Sequence, residues 1–239
     1  MINKITSFIP NTLTCCNLLS GILACIAAFS GPVVAGPFGL TGFELAWLMI
    51  VLAAGFDFFD GFAARLLHAY SPMGKELDSL ADLVSFGVAP GLLMFNLLHW
   101  LGAPVWVSYL SLIIPVCGAL RLAKFNIDER QTTSFIGLPI PSNALFWIGY
   151  SAWLLKYGVF DDLRLWLTAV LIPAVSLLMV CELPMFSLKF SNMRWADNKM
   201  RFTMMAVAII LLIIFGVVGT ALAVAAYIGL SVIDNCSRK

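Results

Sequence analysis

The sequence predicts an all-α polytopic membrane protein with about eight transmembrane helices. Hydrophobic residues make up 61% of the 239 residues and charged residues only 11%, against roughly 25% charged residues in ordinary soluble domains. Several apolar segments approach the ~20 residues that a helix needs to cross the hydrocarbon core of a bilayer. Basic residues concentrate in alternate connecting segments, as expected of a polytopic protein with one orientation. We therefore expect one integral-membrane catalytic domain over residues 1–239.

The N-terminal part is expected to form a surface segment and two crossings. Residues 1–10 place their isoleucines near one helical face, which is typical of an interfacial amphipathic segment. Pro10 is expected to end that segment, because proline disrupts helices outside their first turn. The first crossing is then expected over about residues 13–29. The second begins near residue 43 and continues beyond residue 65, and its C-terminal half is polar.

The middle of the chain is expected to complete a core of six crossings. A short break at residues 70–74 contains serine, proline and glycine, which are typical turn residues. Four more crossings are expected at about residues 75–101, 104–125, 142–157 and 163–183.

The last apolar run, residues 202–233, contains 32 residues. As one helix it would be about 48 Å long, against about 30 Å of hydrocarbon. Gly216 and Gly219 lie near its middle, which favours a tight hairpin of two short helices. The hairpin gives about eight crossings, whereas a single tilted helix gives about seven.

The distribution of basic residues favours the higher count. With the N-terminus in the cytoplasm, ten basic residues fall in inside segments, and Lys156 and Arg164 fall outside. The inside residues are Lys4, Arg65, Lys75, Arg121, Lys124, Arg130, Lys189, Arg194, Lys199 and Arg201. This asymmetry follows the positive-inside rule, and eight crossings also bring Arg238 and Lys239 inside. We expect a protein of the inner cell membrane in which the acidic residues between Asp57 and Asp82 face the cytoplasm.

Four aspartates flank one short turn on the expected cytoplasmic side. Asp57 and Asp60 are three residues apart, and Asp78 and Asp82 are four apart. Both spacings place a pair on one face of a helix. The turn at residues 70–74 folds the two helices against each other, so the pairs are expected to converge. Ionisable residues at membrane depth are costly and usually functional.

These carboxylates are expected to bind divalent metal. Bare carboxylates a few ångströms apart would repel one another and take up protons, and a cation removes that problem. Oxygen ligands suit Mg²⁺ or Mn²⁺, and bridging carboxylates can hold two ions about 4 Å apart, as in phosphoryl displacement. Gly61 and Ala64 share the face of Asp57 and leave room for a ligand. The alternative is that the aspartates only cap helix ends or pair with Arg65 and Lys75.

The same stretch resembles a known family. It contains Asp57-x-x-Asp60-Gly61-x-x-Ala64-Arg65-x8-Gly74-x3-Asp78-x3-Asp82, which matches the signature of the CDP-alcohol phosphotransferases. The resemblance implies a six-helix core, here over residues 11–183, followed by the C-terminal hairpin at residues 202–233. It also implies an enzyme with two divalent cations. Such an enzyme cleaves a CDP-linked substrate, releases CMP and joins the remaining phosphoryl group to an alcohol.

The resemblance assigns roles to the aspartates by position. Asp57, Asp60 and Asp78 would bind metal. Asp82 would be a ligand of the second ion and also the general base that deprotonates the acceptor alcohol.

The resemblance and the chemistry of the side chains also indicate a pocket for the CDP-linked lipid. Its candidate residues are Gly61, Arg65, Ser71, Gly74, Asn11, Thr14 and Asn17. Arginine suits phosphate because its planar fork of donors binds two oxygens at once. For Asn11, Thr14 and Asn17, the alternative is helix capping and hydrogen bonding between helices.

Three further stretches resemble the bacterial and archaeal phosphatidylserine synthases of this family. They are residues 9–17, 77–90 and 121–141. The resemblance implies CDP-diacylglycerol and L-serine as substrates, and a homodimer. Arg121, Lys124 and Asn126 are the candidates for binding the acceptor or a phosphate. The group often has arginine at the position of Lys124, and lysine keeps the charge without the bidentate geometry.

Other functions stay open at this point. Glycerol phosphate or inositol phosphate as acceptor would call for more cations near the site than the modest set present. A cation transporter would need polar groups deeper in the membrane, toward Ala53 or Leu92, and the neighbouring sequence is apolar. The net charge of +1, without a basic run, argues against nucleic acid as a partner.

Overall fold

A computed structural model describes residues 8–34, 36–128, 135–157, 161–185 and 195–237. The helices in these ranges are α1 (Phe8–Ser30), α2 (Gly42–Leu66), α3 (Pro72–Asp82), α4 (Ala89–Trp100), α5 (Val105–Leu110), α6 (Ile113–Ile127), α7 (Ile140–Tyr157), α8 (Asp162–Val180), α9 (Trp195–Phe215) and α10 (Gly219–Ser237). A π-helical segment, Leu83–Val88, joins α3 to α4, and 3₁₀ turns lie at Pro37–Gly39 and Gly216–Val218. Strands β1 (Phe135–Ile136) and β2 (Pro184–Met185) form one short antiparallel pair.

Six helical segments are long and apolar enough to cross a membrane. They are Phe8–Ser30, Gly42–Leu66, Pro72–Trp100, Val105–Ile127, Asp162–Val180 and Met200–Ile233. The predicted helical membrane protein is thereby confirmed. Helix α7, expected as a further crossing, is shorter and less apolar, and much of its surface is buried, including Trp147 and Ile148.

Several expected features lie outside the described residues. The expected surface segment falls mostly on residues 1–7, which lie outside the described ranges. Six of the basic residues used to predict the orientation also lie outside them, namely Lys4, Arg130, Lys189, Arg194, Arg238 and Lys239. One expected boundary differs in the structure, because α1 already includes Pro10. Proline is tolerated in the first turn of a helix, where its missing N–H would have no partner inside the helix.

Helices α1 and α2 lie side by side and pack along their lengths. Helix α2 begins at a capping box, in which the Thr41 side chain accepts from the Glu44 backbone N–H and Glu44 accepts from Thr41 in return. It ends at Leu66, Leu67 is its C-cap, and His68 follows with a φ of 49°. This left-handed residue lets the chain change direction within a few residues, before α3 begins at Pro72.

The third crossing carries the second aspartate pair and lies in the centre of the molecule. Ser71 caps α3 by accepting from the Gly74 N–H at 2.9 Å, and Pro72 occupies the first turn. The π-helical segment begins directly after Asp82. Such segments are rare, occur mostly as single turns within α-helices, and are frequent at functional sites.

Helix α10 packs against α7, one of the most buried helices. Gly149 lies so close to α10 that an added Cβ would overlap the backbone nitrogen of Ala221. Thr220 donates to the backbone oxygen of Leu145 at 2.9 Å across the same contact. Tyr227, further along α10, is only 4% exposed. The C-terminal helix is therefore part of the packed core.

Replacing Gly149 with alanine is expected to destabilise the protein by about 2 kcal/mol, since overpacking of a tight contact usually costs 1–3 kcal/mol. The added methyl group would overlap backbone atoms, which cannot rotate away. Thermal unfolding in detergent micelles measures the effect. Gly229→Ala is the matched control, because an added Cβ there meets nothing within 4 Å. Equal unfolding temperatures for the two variants would contradict the close approach of α7 and α10.

Candidate active site

Three of the predicted aspartates form one acidic cluster. Asp57 and Asp60 come from the last turns of α2, and Asp78 comes from α3. One carboxylate oxygen of each lies within 4.8 Å of the others. Asp82, one turn beyond Asp78, lies within hydrogen-bonding range of the Asp57 carboxylate. The helical spacing in the sequence therefore brings both pairs together, as expected.

Helix α1 supplies a polar partner to each pair. Thr14 is within hydrogen-bonding distance of Asp60, with 2.7 Å between Thr14 Oγ1 and Asp60 Oδ2. Asn17 donates from Nδ2 to Asp82 Oδ1 at 3.1 Å. Both residues of α1 are buried. They are three positions apart, so they lie on the same face of α1. This face thus completes the site formed by α2 and α3.

A cavity of about 510 Å³ opens beside the acidic cluster. Its lining residues are Pro10, Asn11, Thr14, Asp60, Gly61, Ala64, Ala69, Tyr70, Ser71, Pro72, Gly74, Lys75 and Asp78. Five predicted lipid-nucleotide contacts are among them, namely Asn11, Thr14, Gly61, Ser71 and Gly74. Cavities of 300–1,000 Å³ are typical of small-molecule sites. A ligand in this cavity would have its charged part next to the carboxylates of Asp60 and Asp78.

Glycines keep the cavity open. An added Cβ at Gly61 would meet nothing within 4 Å, because the space beside it is the cavity itself. At Gly74, an added Cβ would lie 3.0 Å from Ser71 Oγ and 3.1 Å from Asn11 Oδ1. Gly74 thus allows the start of α3 to lie close to α1.

Two predicted contacts lie away from the cavity. Arg65 is exposed in the last turn of α2 and does not line it. Asn17 is fully buried and contacts Asp82 instead. Their roles in binding the CDP-linked substrate stay predictions.

The three residues predicted to bind the acceptor occupy different surroundings. Arg121 is 6% exposed and lies within electrostatic range of Asp82 and of Tyr227 from α10. Its guanidinium lies over the ring of Phe125, 5.9 Å from the centroid. Its Nε is buried without a partner among the described residues. Arg121 is therefore a buried cation close to Asp82.

Lys124 and Asn126 contribute to packing between helices. Lys124 donates from Nζ to the Val180 backbone oxygen at 3.1 Å, and thereby satisfies a carbonyl at the C-terminal end of α8. Asn126 donates from Nδ2 to Ser79 Oγ at 2.9 Å. Its backbone oxygen accepts from Lys75 Nζ at 3.2 Å. A role of these two residues toward the acceptor stays a prediction.

The structure adds Lys75 and Tyr70 to the site residues identified from the sequence. Lys75 lines the cavity next to Asp78, and Tyr70 lines its rim while being 73% exposed. Both flank the turn between α2 and α3, where the sequence shows a conspicuous glycine and proline but no pattern that singles out these two side chains. A lysine beside an acidic cluster suits a bound phosphate, which would lie between them.

The acidic cluster fits divalent cations. Asp78 Oδ1 is buried without a hydrogen-bond partner. Within the described part of the chain, the charges of Asp57, Asp60 and Asp78 are not offset by a lysine or arginine ion pair. Three oxygen donors within 4.8 Å of one another are a donor set that Mg²⁺ or Mn²⁺ accepts. The structure supports metal binding at this cluster without identifying the metal.

Replacing Gly61 with leucine is expected to raise the KM for the CDP-linked substrate that the family resemblance implies by about tenfold or more, because the side chain would fill part of the cavity and remove about 1.4 kcal/mol or more of binding free energy. The new side chain enters the cavity and meets no protein atom at its Cβ, so the unfolding temperature should stay unchanged. Gly55→Leu is the matched control on the same helix, with equally open space and no contact with the cavity. An unchanged KM in Gly61→Leu would contradict the position of the substrate.

Several curated proteins similar to this chain have names that refer to phosphatidyl transfer to serine or to archaetidylserine synthesis. The chain is 40% identical to the CDP-diacylglycerol–serine O-phosphatidyltransferase of Bacillus subtilis over 135 residues, which cover 56% of this chain and 70% of that protein. It is 34% identical to the Methanocaldococcus jannaschii protein of the same name over 175 residues, which cover 73% of this chain and 72% of that protein. It is also 34% identical to the archaetidylserine synthase of Methanothermobacter thermautotrophicus over 191 residues, covering 75% and 71%.

The chain covers a smaller share of a mycobacterial relative, namely 49% of the Mycobacterium leprae CDP-diacylglycerol–serine O-phosphatidyltransferase.

A family model matches nearly the whole chain. It is the model of the CDP-alcohol phosphatidyltransferases, and it matches residues 7–232. With the acidic cluster, the adjoining cavity and the membrane-spanning helices, this match shows that the chain belongs to the CDP-alcohol phosphatidyltransferase family.

Proposed function

We propose that the protein transfers the phosphatidyl group from CDP-diacylglycerol to the hydroxyl group of L-serine and releases CMP. The observation that carries this proposal is the acidic cluster of Asp57, Asp60 and Asp78, of which Asp60 and Asp78 line a cavity of about 510 Å³. The acceptor follows from the relatives, which are named for transfer to serine or for archaetidylserine synthesis.

The metal ligands are proposed to be Asp57, Asp60, Asp78 and Asp82, with Asp82 serving the second of two ions. When bound, Mg²⁺ or Mn²⁺ would offset the charge of the pyrophosphate and of the departing CMP. The CDP moiety would occupy the cavity, in contact with Asn11, Thr14, Gly61, Ser71 and Gly74. Lys75 would meet one of its phosphates from the same wall.

Asp82 is proposed as the general base. It takes the proton of the serine hydroxyl, whose oxygen attacks the phosphorus that carries diacylglycerol. The bond between that phosphorus and the oxygen bridging to CMP then breaks, and CMP leaves with the electron pair. Asp82 suits this role because it lies next to Asp57, yet is not one of the three carboxylates whose oxygens all lie within 4.8 Å of one another.

Arg121 is proposed to bind the carboxylate of serine. It is a buried cation near Asp82, and its Nε is without a partner among the described residues. A carboxylate held there would bring the hydroxyl of the same small molecule near the proposed base. Glycerol phosphate or inositol phosphate is the competing choice of acceptor, and the assay below separates them.

The proposed topology has eight crossings, an N-terminus in the cytoplasm and an acidic site that faces the cytoplasm of a cell-membrane protein. Gly216, with a φ of 59°, begins the 3₁₀ turn between α9 and α10. An added Cβ at Gly219 would overlap the backbone oxygen of Leu211. These two features support a C-terminal hairpin at residues 202–233 that follows a six-helix core at residues 11–183. A homodimer is proposed on the family resemblance.

The function is tested with purified protein, CDP-diacylglycerol and Mg²⁺ or Mn²⁺ in mixed micelles. L-serine, glycerol phosphate and inositol phosphate are supplied separately, and CMP release is measured. Of the three acceptors, we expect only L-serine to give CMP release. Release only with another acceptor would overturn the serine assignment, and no release with any alcohol would overturn the enzymatic function.

A further inference from the structure

Asn17 occupies a position that binding of the nucleotide does not explain. It is fully buried in α1 and does not line the cavity. Its side chain faces Asp82, and Nδ2 donates to Asp82 Oδ1 at 3.1 Å. The opposite amide orientation would place the carbonyl oxygen against the carboxylate, so this contact fixes the amide in one orientation.

The backbone of Asn17 is also fixed relative to Asp82. Ser85, fully buried in the π-helical segment, donates from its hydroxyl to the backbone oxygen of Asn17 at 3.0 Å. One turn further along α1, Gly21 lies directly against Ser85, and an added Cβ would come within 2.7 Å of Ser85 Cα. Helix α1 and the segment that follows Asp82 are therefore in backbone contact.

The other amide atom of Asn17 is without a partner. Oδ1 is buried and accepts no hydrogen bond within the described ranges. An unsatisfied buried acceptor costs stability, so asparagine is a poor choice at this position if its only role is packing. The favourable contact that remains to its side chain is the one with Asp82.

From these contacts, we infer that Asn17 is a positioning residue for Asp82 rather than a nucleotide ligand. It holds one oxygen of the Asp82 carboxylate in place, so that the carboxylate cannot rotate away from the acceptor hydroxyl. Ser85 and Gly21 act with it by fixing α1 against the segment that carries Asp82. This inference rests on the proposed function, in which Asp82 is the base.

The test separates turnover from substrate binding in the purified full-length protein with Mn²⁺. Asn17→Leu keeps a similar volume and removes both amide atoms. We expect the kcat of serine-dependent CMP release to fall about tenfold or more. The Kd for CDP-diacylglycerol, measured without serine, should stay within about twofold of the unsubstituted protein. A raised Kd with an unchanged kcat would make Asn17 a nucleotide contact and overturn the inference.

A second variant and a control keep the test decisive. Ser85→Ala removes the hydroxyl that holds the Asn17 backbone, and it should lower kcat about threefold without changing the Kd. Ser20→Ala is the control, because Ser20 is buried in α1 and donates to its own helix at Cys16; it should change neither value. If Asn17→Leu does not fold, Ser85→Ala decides, and a kcat equal to that of the unsubstituted protein overturns the inference.

The amount of bound lipid and the unfolding temperature show which part of the proposal fails if the expected result is not obtained. The amount of CDP-diacylglycerol bound at saturation gives the folded fraction, and kcat is expressed per bound substrate. If Asn17 had a purely structural role, Asn17→Leu would lower the unfolding temperature but leave this corrected kcat unchanged. If the unsubstituted protein releases no CMP with serine, the proposed function itself fails. If it does, and Asn17→Leu retains full kcat per bound substrate, only the positioning role fails.

Discussion

Replacement of Asp82 with asparagine is expected to lower the turnover of CDP-diacylglycerol and serine by about 10³-fold, since a positioned general base contributes 10²–10⁴-fold. The amide has nearly the same shape as the carboxylate, and its oxygen can still accept from Asn17. The variant should therefore insert, fold and bind CDP-diacylglycerol. What it lacks is the ability to take the proton of the serine hydroxyl.

The measurement compares CMP release with CDP-diacylglycerol binding in the same preparation. Asp162→Asn is the matched control, because Asp162 is exposed at the start of α8, outside the cavity. It should behave like the unsubstituted protein. Near-normal turnover in Asp82→Asn would remove Asp82 as the base, and loss of lipid binding together with turnover would indicate a ligand role alone.

The second large effect is expected from Asp57, which is close to every other member of the acidic cluster. Asp57→Asn removes one charged oxygen donor from a group whose oxygens lie within 4.8 Å. We expect the apparent affinity for Mn²⁺ to fall by about 100-fold, and turnover to fall with it. Mn²⁺ binding is measured by titration in detergent, and activity is measured after chelation and after return of the metal.

The same variant should show opposite effects on stability with and without metal. Without metal, the clustered carboxylates repel one another, so removal of one charge is expected to raise the unfolding temperature. With metal, the unsubstituted protein gains stability from ligand binding and the variant gains less. Full activity after chelation would contradict a metal site, and so would an equal rise of the unfolding temperature with Mn²⁺ in both proteins.

The acidic cluster could be predicted from the sequence because helical spacing and one short turn determine it. Asp57 and Asp60 share a face of α2, Asp78 shares a face of α3 with Asp82, and the reversal near His68 joins the two helices. The apolar segments predicted the membrane-spanning helices for a similar reason, since length and composition are local properties.

Five of the residues that line the cavity could be predicted, but the contacts between helices distant in sequence could not, because they depend on how those helices meet. The contact between Asn17 and Asp82 requires α1 to lie against the π-helical segment at Gly21 and Ser85, and no local pattern signals that crossing. The approach of Tyr227 to Arg121 depends in the same way on the packing of α10 against α7. In the sequence, the positive-inside rule accounts for Lys75, yet in the structure Lys75 lines the cavity.

The central claim is that the serine hydroxyl attacks the phosphorus that carries diacylglycerol. It is tested most directly with L-serine labelled with ¹⁸O in its hydroxyl group, followed by mass analysis of both products. We expect all of the label in phosphatidylserine, which forms in equal amount with unlabelled CMP. Unlabelled lipid, or formation of phosphatidic acid with a cytidylyl-serine product, would contradict the account.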